Sequence, residues 1–230
     1  MRRLVLFDID GTLLASDGAG KRAIRAALLE VFGGTGPING YSFAGRTDPE
    51  IVHDLLRAAG VDEAEIEAGL PALWFRYVDH LNREVREARV RMLPGVRALV
   101  ERVERQGGET VLGLLTGNIA AGARIKLDSA GLRFDRFRVG AYGSDHARRP
   151  ELPAIAVERA RGLTGVDYAG KEIIIIGDTP LDVACGQHLG VRTIATATGT
   201  FPVEELAACG PDHVFADLSD TDAVWSAIAE

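Results

Sequence analysis

Two carboxylates near the start of the chain have a spacing that suits metal-assisted chemistry. Asp8 and Asp10 are separated by one residue and followed by Gly11, so on a continuing strand their side chains face the same side. Adjacent carboxylates repel each other. A divalent cation relieves that repulsion, because Mg²⁺ takes oxygen ligands from one or two carboxylates plus a substrate phosphate. Taken alone, the pair is equally typical of a solvated boundary between a strand and a turn.

A second acidic cluster, in segment 177–182, follows a run of four isoleucines. Asp178 stands where a strand would end and could meet Asp8 and Asp10 around one metal ion. Asp182 lies one helical turn further on and could hold the water shell of the metal or orient its ligands. The same residues suit a helix start, with Asp178 or Thr179 as N-cap and Pro180 at the first helical position. The two roles are compatible.

A third polar cluster, Thr116-Gly117-Asn118, stands between an apolar run and a predicted helix. Backbone N–H groups at a helix N-terminus attract anions, and the Thr116 and Asn118 side chains add hydrogen bonds to phosphate oxygens. We therefore predict a phosphate-binding role for these residues. Helix capping by Thr116 or Asn118 is the alternative.

Short apolar runs position these clusters. Segments 4–7, 111–115 and 173–176 are continuous and apolar, which is typical of parallel strands covered on both faces by helices. Ligands of such sheets bind outside the carboxyl ends of the strands, where all three clusters would converge. Weaker strands are predicted at 138–141, 192–195 and 213–215, and helices at 95–106, 119–130, 151–162 and 180–189. This alternation predicts an α/β fold with a doubly wound, mostly parallel sheet, a Rossmann-like core.

Residues 15–90 interrupt that alternation. They contain no apolar strand run and predict three helices instead, at 19–32, 48–59 and 63–87. A helical insertion directly after the first strand indicates a cap over the site. The predicted domains are a discontinuous core, 1–14 and 91–230, and a helical cap, 15–90. The alternative places the extra helices on the flank of the sheet.

The overall charge limits the partners. The 230 residues include 33 acidic and 26 basic residues, with a net charge of -7 and a pI of about 5.3. This balance argues against nucleic acid or an anionic membrane as partner. Cys185 and Cys209 form no metal or disulfide pattern, and no signal peptide or membrane span is visible in the sequence. We expect a cytoplasmic monomer or homodimer.

The order and separation of the motifs resemble those of the haloacid dehalogenase superfamily, notably its phosphoglycolate phosphatase-like members with a helical cap. The first motif corresponds to Asp8-x-Asp10-Gly11-Thr12, the second to Thr116-Gly117-Asn118 and the fourth to Gly177-Asp178-Thr179-Pro180-x-Asp182. The resemblance spans nearly the whole chain.

This resemblance implies a role for each motif residue. Asp8 would be the nucleophile that forms an aspartyl-phosphate, and Asp10 the general acid and then the base. Thr116 would bind phosphoryl oxygens. Mg²⁺ would be held by the Asp8 carboxylate, the Asp10 backbone carbonyl and Asp178. The substrate would be a small phosphorylated metabolite.

The third motif departs from the family, which usually has a lysine there. Of the three lysines in the chain, Lys171 should lie at the wrong edge of the sheet and Lys21 in the cap. We expect Lys126 to lie ~12 Å from Asn118 along a helix that points away from the site. Arg149 precedes a proline at the expected place and is our choice for the missing cation, with Arg148 as the alternative.

The cap segment 45–50 offers two further candidates. In related capped phosphatases such a Gly-Arg-Thr stretch faces the substrate, so Arg46 and Thr47 are predicted to bind it. A capping loop with a solvated arginine is equally compatible with the segment.

The leading hypothesis is a Mg²⁺-dependent phosphatase acting on a small phosphate monoester. A phosphomutase of the same superfamily and a catalytically weak regulatory or binding protein are the alternatives. A dehalogenase is disfavoured, because its chemistry needs neither a general acid at Asp10 nor a metal.

Overall fold

One parallel sheet organises most of the chain. The computed structural model describes residues 2–108 and 110–230, which excludes Met1 and Glu109 of the predicted core. The strands are β1 (Arg3–Phe7), β2 (Leu14–Ala15), β3 (Arg91–Met92), β4 (Thr110–Thr116), β5 (Val139–Tyr142), β6 (Ile173–Gly177), β7 (Arg192–Thr196) and β8 (His213–Phe215). Six of them pair side by side in the order β5-β4-β1-β6-β7-β8, with every pairing parallel.

Helices cover both faces of this sheet. They are α1 (Ala19–Phe32), α2 (Asp48–Ala58), α3 (Glu63–Glu87), α4 (Val96–Gln106), α5 (Ala120–Ser129), α6 (Leu152–Thr164), α7 (Pro180–Cys185), α8 (Val203–Ala208) and α9 (Thr221–Ala229). Apolar side chains of α4, α5 and α9 pack on one face, and those of α6 pack on the other. Because both faces are covered, β4 and β6 are buried along their whole length. The predicted α/β, doubly wound fold is confirmed.

Helices α1, α2 and α3 form a separate apolar cluster, which includes Ile24, Ile51, Leu55 and Tyr77. The chain leaves the sheet region through β2 and returns through β3, and these two short strands pair antiparallel. This arrangement fits the division at residues 14/15 and 90/91, which stays a prediction. We call residues 15–90 the cap and the rest the core.

Several elements differ from the sequence-based prediction. The helix predicted at 180–189 ends at Cys185, and a separate 3-10 turn follows at Gln187–Leu189. Gly186 stands at the break, in keeping with the poor helix propensity of glycine. The sequence-based prediction also omitted β2, β3, α8 and α9. In α9, Val224, Ala227 and Ile228 are buried against the core. Among residues 2–108 and 110–230, no helix is long and apolar enough to span a membrane.

Candidate active site

The register of the three central strands brings the polar clusters together. Phe7 at the end of β1 lies opposite Leu114 in β4 and Ile176 in β6. Asp8 therefore emerges between the ends of the two neighbouring strands, and its N–H donates to the Ile176 carbonyl at 2.9 Å. Asp8, Thr116 and Asp178 are all buried at this edge of the sheet.

Asp178 is held in a close-fitting backbone pocket. A Cβ added at Gly11 would lie 2.2 Å from Asp178 Oδ2, and one at Gly199 only 1.8 Å away. Only glycine fits at either position. The Thr12 hydroxyl donates to the other carboxylate oxygen, Asp178 Oδ1, at 3.1 Å. The backbone and Thr12 thus fix the direction of this carboxylate.

Three buried carboxylates form a group that fits a hard divalent cation. Oxygens of Asp8, Asp178 and Asp182 all lie within 4.8 Å of one another. Burial, reinforced by Asp182 and Asp8, raises the pKa of Asp178 to about 9. Burial also raises the pKa of Asp8 to about 7, although Arg149 opposes the shift. The raised pKa values indicate that too little positive charge surrounds these carboxylates to stabilise their ionised forms. Mg²⁺ would supply that charge, and it prefers oxygen ligands of this kind.

Arg149 is the cation that the structure brings to the nucleophile candidate. It opens a 3-10 turn, Arg149–Glu151, directly before α6, and only 3% of it is exposed. Its Nη2 donates to Asp8 Oδ1 at 3.1 Å and also to Asp182 Oδ1. Although burial alone would lower its pKa, the carboxylates of Asp182 and Asp8 raise it overall. The neighbouring Arg148 is exposed.

Asp182 connects Arg149 with the start of α7. Its Oδ2 accepts from the Thr179 N–H at 3.0 Å and from the Thr179 hydroxyl at 2.6 Å. The Asp182 N–H donates back to the Thr179 hydroxyl, which completes a capping box. Thr179, rather than Asp178, is therefore the N-cap. Asp182 orients Arg149, while its predicted contribution to a metal site stays a prediction.

The sequence-based placement of Lys126 is wrong. Lys126 is 4% exposed, and its Nζ donates to Asp10 Oδ2 and to Asn118 Oδ1, each at 2.6 Å. The rise along the helix separates the backbones of Asn118 and Lys126, but the lysine side chain extends over much of that distance. Helical side chains lean toward the N-terminus, and the long lysine stem follows that direction back to the site.

A signal for Lys126 was present in the sequence. The buried face of α5 consists of Gly122, Ala123, Lys126 and Leu127, so a single charged residue interrupts a face of small and apolar ones. A lysine in such a position needs a buried anionic partner.

The Asp10 carboxylate lies outside the group formed by Asp8, Asp178 and Asp182. Its Oδ1 accepts from the Ser16 hydroxyl at 2.9 Å, and its Oδ2 accepts from Lys126 and from Asn118 Nδ2, the latter at 2.8 Å. Burial raises its pKa, but Lys126 and these hydrogen bonds outweigh burial, so the pKa is lowered overall. The predicted metal contact of Asp10 was through its backbone carbonyl and stays a prediction.

Neither Thr116 nor Asn118 caps α5, contrary to the capping alternative. The N-cap is Ile119, which has no side-chain cap. The Ile119 N–H instead donates to Asp48 Oδ2 of the cap at 2.9 Å, and the Ala120 N–H donates to Ser144 Oγ at 3.1 Å. Cap residue Asp48 thus takes one backbone position that we expected to be open to phosphate. Burial raises the pKa of Asp48 to about 6, although Lys126 opposes the shift.

Gly117 is a contact point between core and cap. A Cβ there would lie 2.0 Å from the Arg46 carbonyl oxygen, and the Asp48 N–H donates to the Gly117 carbonyl at 2.7 Å. The close approach requires glycine. Thr47, beside them, is fully buried and caps α2, and its hydroxyl donates to the Ala147 carbonyl at 2.5 Å. The structure therefore brings Thr47 to the core backbone and not to the cavity.

A cavity of about 450 Å³ separates cap and core. Its core wall includes Asp8, Asp10, Thr116, Gly117, Asn118, Lys126, Arg149 and Asp178, and its cap wall includes Lys21, Tyr41, Phe43 and Arg46. The Arg46 guanidinium pairs with Glu50 and lies 5.3 Å from the centre of the Tyr41 ring. The volume suits a small metabolite.

Known proteins resemble the chain over nearly its full length. The sequence profile of the haloacid dehalogenase-like hydrolases matches residues 5–187. Phosphoglycolate phosphatase from Yersinia pseudotuberculosis serotype I (strain IP32953) is 28% identical over 219 residues, covering 95% of this chain and 90% of that protein.

Solved structures share the fold. A hydrolase from Pseudomonas syringae superposes with a TM-score of 0.75 and 19% identity, covering 100% of both chains. A protein from Bacteroides vulgatus, provisionally named as a β-phosphoglucomutase, superposes with a TM-score of 0.70 and 21% identity, covering 99% of this chain and 89% of that one. The resemblance of the motifs is confirmed: the chain belongs to the haloacid dehalogenase-like hydrolase family.

Proposed function

We propose that the protein is a Mg²⁺-dependent phosphatase that hydrolyses a small phosphate monoester through an aspartyl-phosphate on Asp8. The observation that carries this proposal is the convergence of Asp8, Arg149 and Asp178 at the floor of a cavity closed by the cap. The 28% identity with a phosphoglycolate phosphatase supports a small phosphorylated metabolite as substrate.

In the first step, a carboxylate oxygen of Asp8 attacks phosphorus, the P–O bond to the leaving group breaks, and Asp10 gives a proton to the departing oxygen. Arg149 holds the Asp8 carboxylate in place and brings positive charge next to the phosphoryl group. Thr116 and Asn118, at the end of β4, would bind phosphoryl oxygens.

In the second step, water attacks phosphorus, Asp10 accepts its proton, and the Asp8 carboxylate is released. The three donors around Asp10 favour its ionised form, which is the form a general base requires. Before the first step Asp10 must carry a proton, so the reaction needs both of its protonation states.

The residues that would hold Mg²⁺ are Asp8 and Asp178, together with the Asp10 backbone carbonyl, and Asp182 would support them through Arg149. When bound, the ion neutralises the repulsion between a carboxylate nucleophile and an anionic phosphate. Cytoplasmic location and a monomeric or homodimeric state stay predictions.

A substrate panel tests this proposal. Phosphate release from phosphoglycolate, sugar phosphates and p-nitrophenyl phosphate is measured with and without Mg²⁺, for the wild type and for Asp8→Asn. We expect Mg²⁺-dependent release that disappears in the variant. Conversion of a sugar phosphate into its isomer without phosphate release would instead identify a phosphomutase. Inactivity in every arm would support a binding protein.

A further inference from the structure

Lys126 is a buried cation with two defined acceptors. Only 4% of the residue is exposed, and a buried ammonium is costly unless charge and hydrogen bonds compensate it. Both acceptors, Asp10 Oδ2 and Asn118 Oδ1, lie 2.6 Å from Nζ. The ion pair with Asp10, the side chain that we assign to proton transfer, thus offsets the free-energy cost of burying Lys126.

Asn118 closes the contact into a triangle. Its Oδ1 accepts from Lys126, and its Nδ2 donates to Asp10 Oδ2 at 2.8 Å and to Thr116 Oγ1 at 2.9 Å. Lys126, a donor only, therefore determines which end of the Asn118 amide faces Asp10. Ser16 holds the other oxygen of Asp10 from the opposite side. Asp10 is thus fixed at both carboxylate oxygens.

The cap confines the ammonium group. A Cβ at Gly20 of α1 would lie 3.1 Å from Lys126 Nζ, so the backbone of α1 packs directly against it. Asp48 of α2 adds electrostatic attraction from the cap side. The cap therefore shields the Lys126 ammonium group from solvent.

We propose that Lys126 is a positioning residue, which together with Asn118 fixes the Asp10 carboxyl group in the orientation needed for proton transfer at the leaving oxygen. The inference rests on the proposed phosphatase function. Two residues then supply the positive charge of the site. Arg149 pairs with the nucleophile Asp8, and Lys126 pairs with the acid–base residue Asp10. Lys126 acts through Asp10 and does not itself have to touch the substrate.

The dependence of the rate on the leaving group distinguishes this role from a structural one. The value of kcat/KM includes every step up to cleavage of the P–O bond. An alkyl phosphate needs a proton on its strongly basic leaving oxygen, whereas p-nitrophenolate leaves without much assistance. Misplacing Asp10 should therefore lower the rate of hydrolysis of the alkyl phosphate much more than that of the aryl phosphate.

The experiment compares Lys126→Met with wild type on p-nitrophenyl phosphate and on the best alkyl phosphate of the panel. We expect kcat/KM to fall about 10- to 100-fold for the alkyl phosphate and less than about threefold for the aryl one. In an Asp10→Asn background, the same substitution should change neither rate by more than about twofold, because that background has no carboxylic acid for Lys126 to position.

Lys171→Met is the matched control. Lys171 lies at the opposite end of β6, where it contacts the Val191 carbonyl and Asp212, and the control should retain wild-type rates. Circular dichroism and thermal melting establish that every variant is folded. If Lys126→Met does not fold, Lys126→Gln repeats the comparison on the same two substrates with a polar replacement.

Equal losses of Lys126→Met on both substrates, or a further loss in the Asp10→Asn background, would overturn the positioning role. Unchanged rates on both would overturn it as well. All three outcomes leave the phosphatase proposal intact, since that proposal fails only if the wild type hydrolyses no phosphate monoester.

Discussion

The two sides of the candidate site are built from different parts of the chain. The strand-end cluster consists of Asp8, Arg149, Asp178 and Asp182 and belongs entirely to the core. The cap-facing cluster consists of Asp10, Asn118, Lys126 and Asp48, of which Asp48 comes from the cap. One cluster is complete without the cap, and the other is not.

Their charges also differ. The strand-end cluster contains three buried carboxylates and one buried guanidinium. Burial raises the pKa values of Asp8 and Asp178. In the cap-facing cluster Lys126 outweighs burial and lowers the pKa of Asp10. The first arrangement has an excess of negative charge that a bound cation would offset, whereas the second contains its own cation, Lys126. Under the proposed function, the side chains that would bind the metal therefore differ from the side chain that would transfer protons.

The largest expected effect concerns the nucleophile. Asp8→Asn should lower phosphate release on the order of 10⁴-fold or more, because in the proposed mechanism the covalent intermediate forms on Asp8. It also removes one of the crowded carboxylates, so the metal-free variant should melt no lower than the wild type. The exposed Asp135→Asn is the control and should keep wild-type turnover. Turnover of Asp8→Asn within tenfold of wild type would remove the strand-end cluster from the chemistry.

The next effect separates the two neighbouring arginines. Arg149→Ala should lower kcat about 10²- to 10³-fold, since it removes the positive charge beside Asp8, whereas the exposed Arg148→Ala should remain close to wild type. Removing one partner of a buried ion pair also costs stability, about 3–5 kcal/mol. Arg149→Lys, which keeps a charge, should recover part of both. Turnover and melting temperature are measured for all three, and equal turnover of the two alanine variants would contradict the assignment.

Local sequence patterns identified most of the strand-end cluster. Asp8 and Asp178 each follow a continuous apolar run, and parallel strands must place such ends side by side. Arg149 could be found because it stands directly before a proline at the start of a helix. The choice of Arg149 over Arg148 depended on the family pattern. In the structure the Arg149 side chain is buried, whereas Arg148 is exposed.

The cap-facing cluster was harder to predict because its contacts depend on tertiary packing. Lys126 reaches Asp10 through the direction of its side chain, which residue counting along a helix does not capture. Asp48 binds the Ile119 N–H only because the cap docks on the start of α5. No local pattern specifies how two separately packed groups of helices approach each other.

The raised pKa values of the strand-end cluster predict a link between pH, Mg²⁺ and stability. Between about pH 4 and 9 the folded metal-free protein binds more protons at Asp8 and Asp178 than the unfolded chain does, so these groups lower stability as pH rises. Mg²⁺ competes with those protons and should bind more tightly at higher pH. The increase in melting temperature on adding Mg²⁺ should therefore be larger at pH 8.5 than at pH 6.

Asp178→Asn is the control for this measurement, since it removes one of the two titrating carboxylates and should reduce the Mg²⁺-dependent increase at both pH values. An increase that is equal at pH 6 and pH 8.5 in the wild type would show that the carboxylates are not protonated in the metal-free protein. The contrast between the two clusters would then rest on geometry alone.

The smallest expected effect tests whether the cap-facing cluster depends on cap docking. Asp48→Ala removes the hydrogen bond from the Ile119 N–H, which is worth about 1 kcal/mol, and should raise KM roughly two- to tenfold while kcat changes little. Asp62→Ala removes a similar carboxylate from the start of α3, where it accepts from the N–H groups of Ala64 and Glu65. Because Asp62 caps α3, the Asp62→Ala variant should have a lower melting temperature but an unchanged KM. If both variants raise KM equally, general loosening of the cap explains the effect; a change confined to Asp48→Ala assigns it to the contact between α2 and the start of α5.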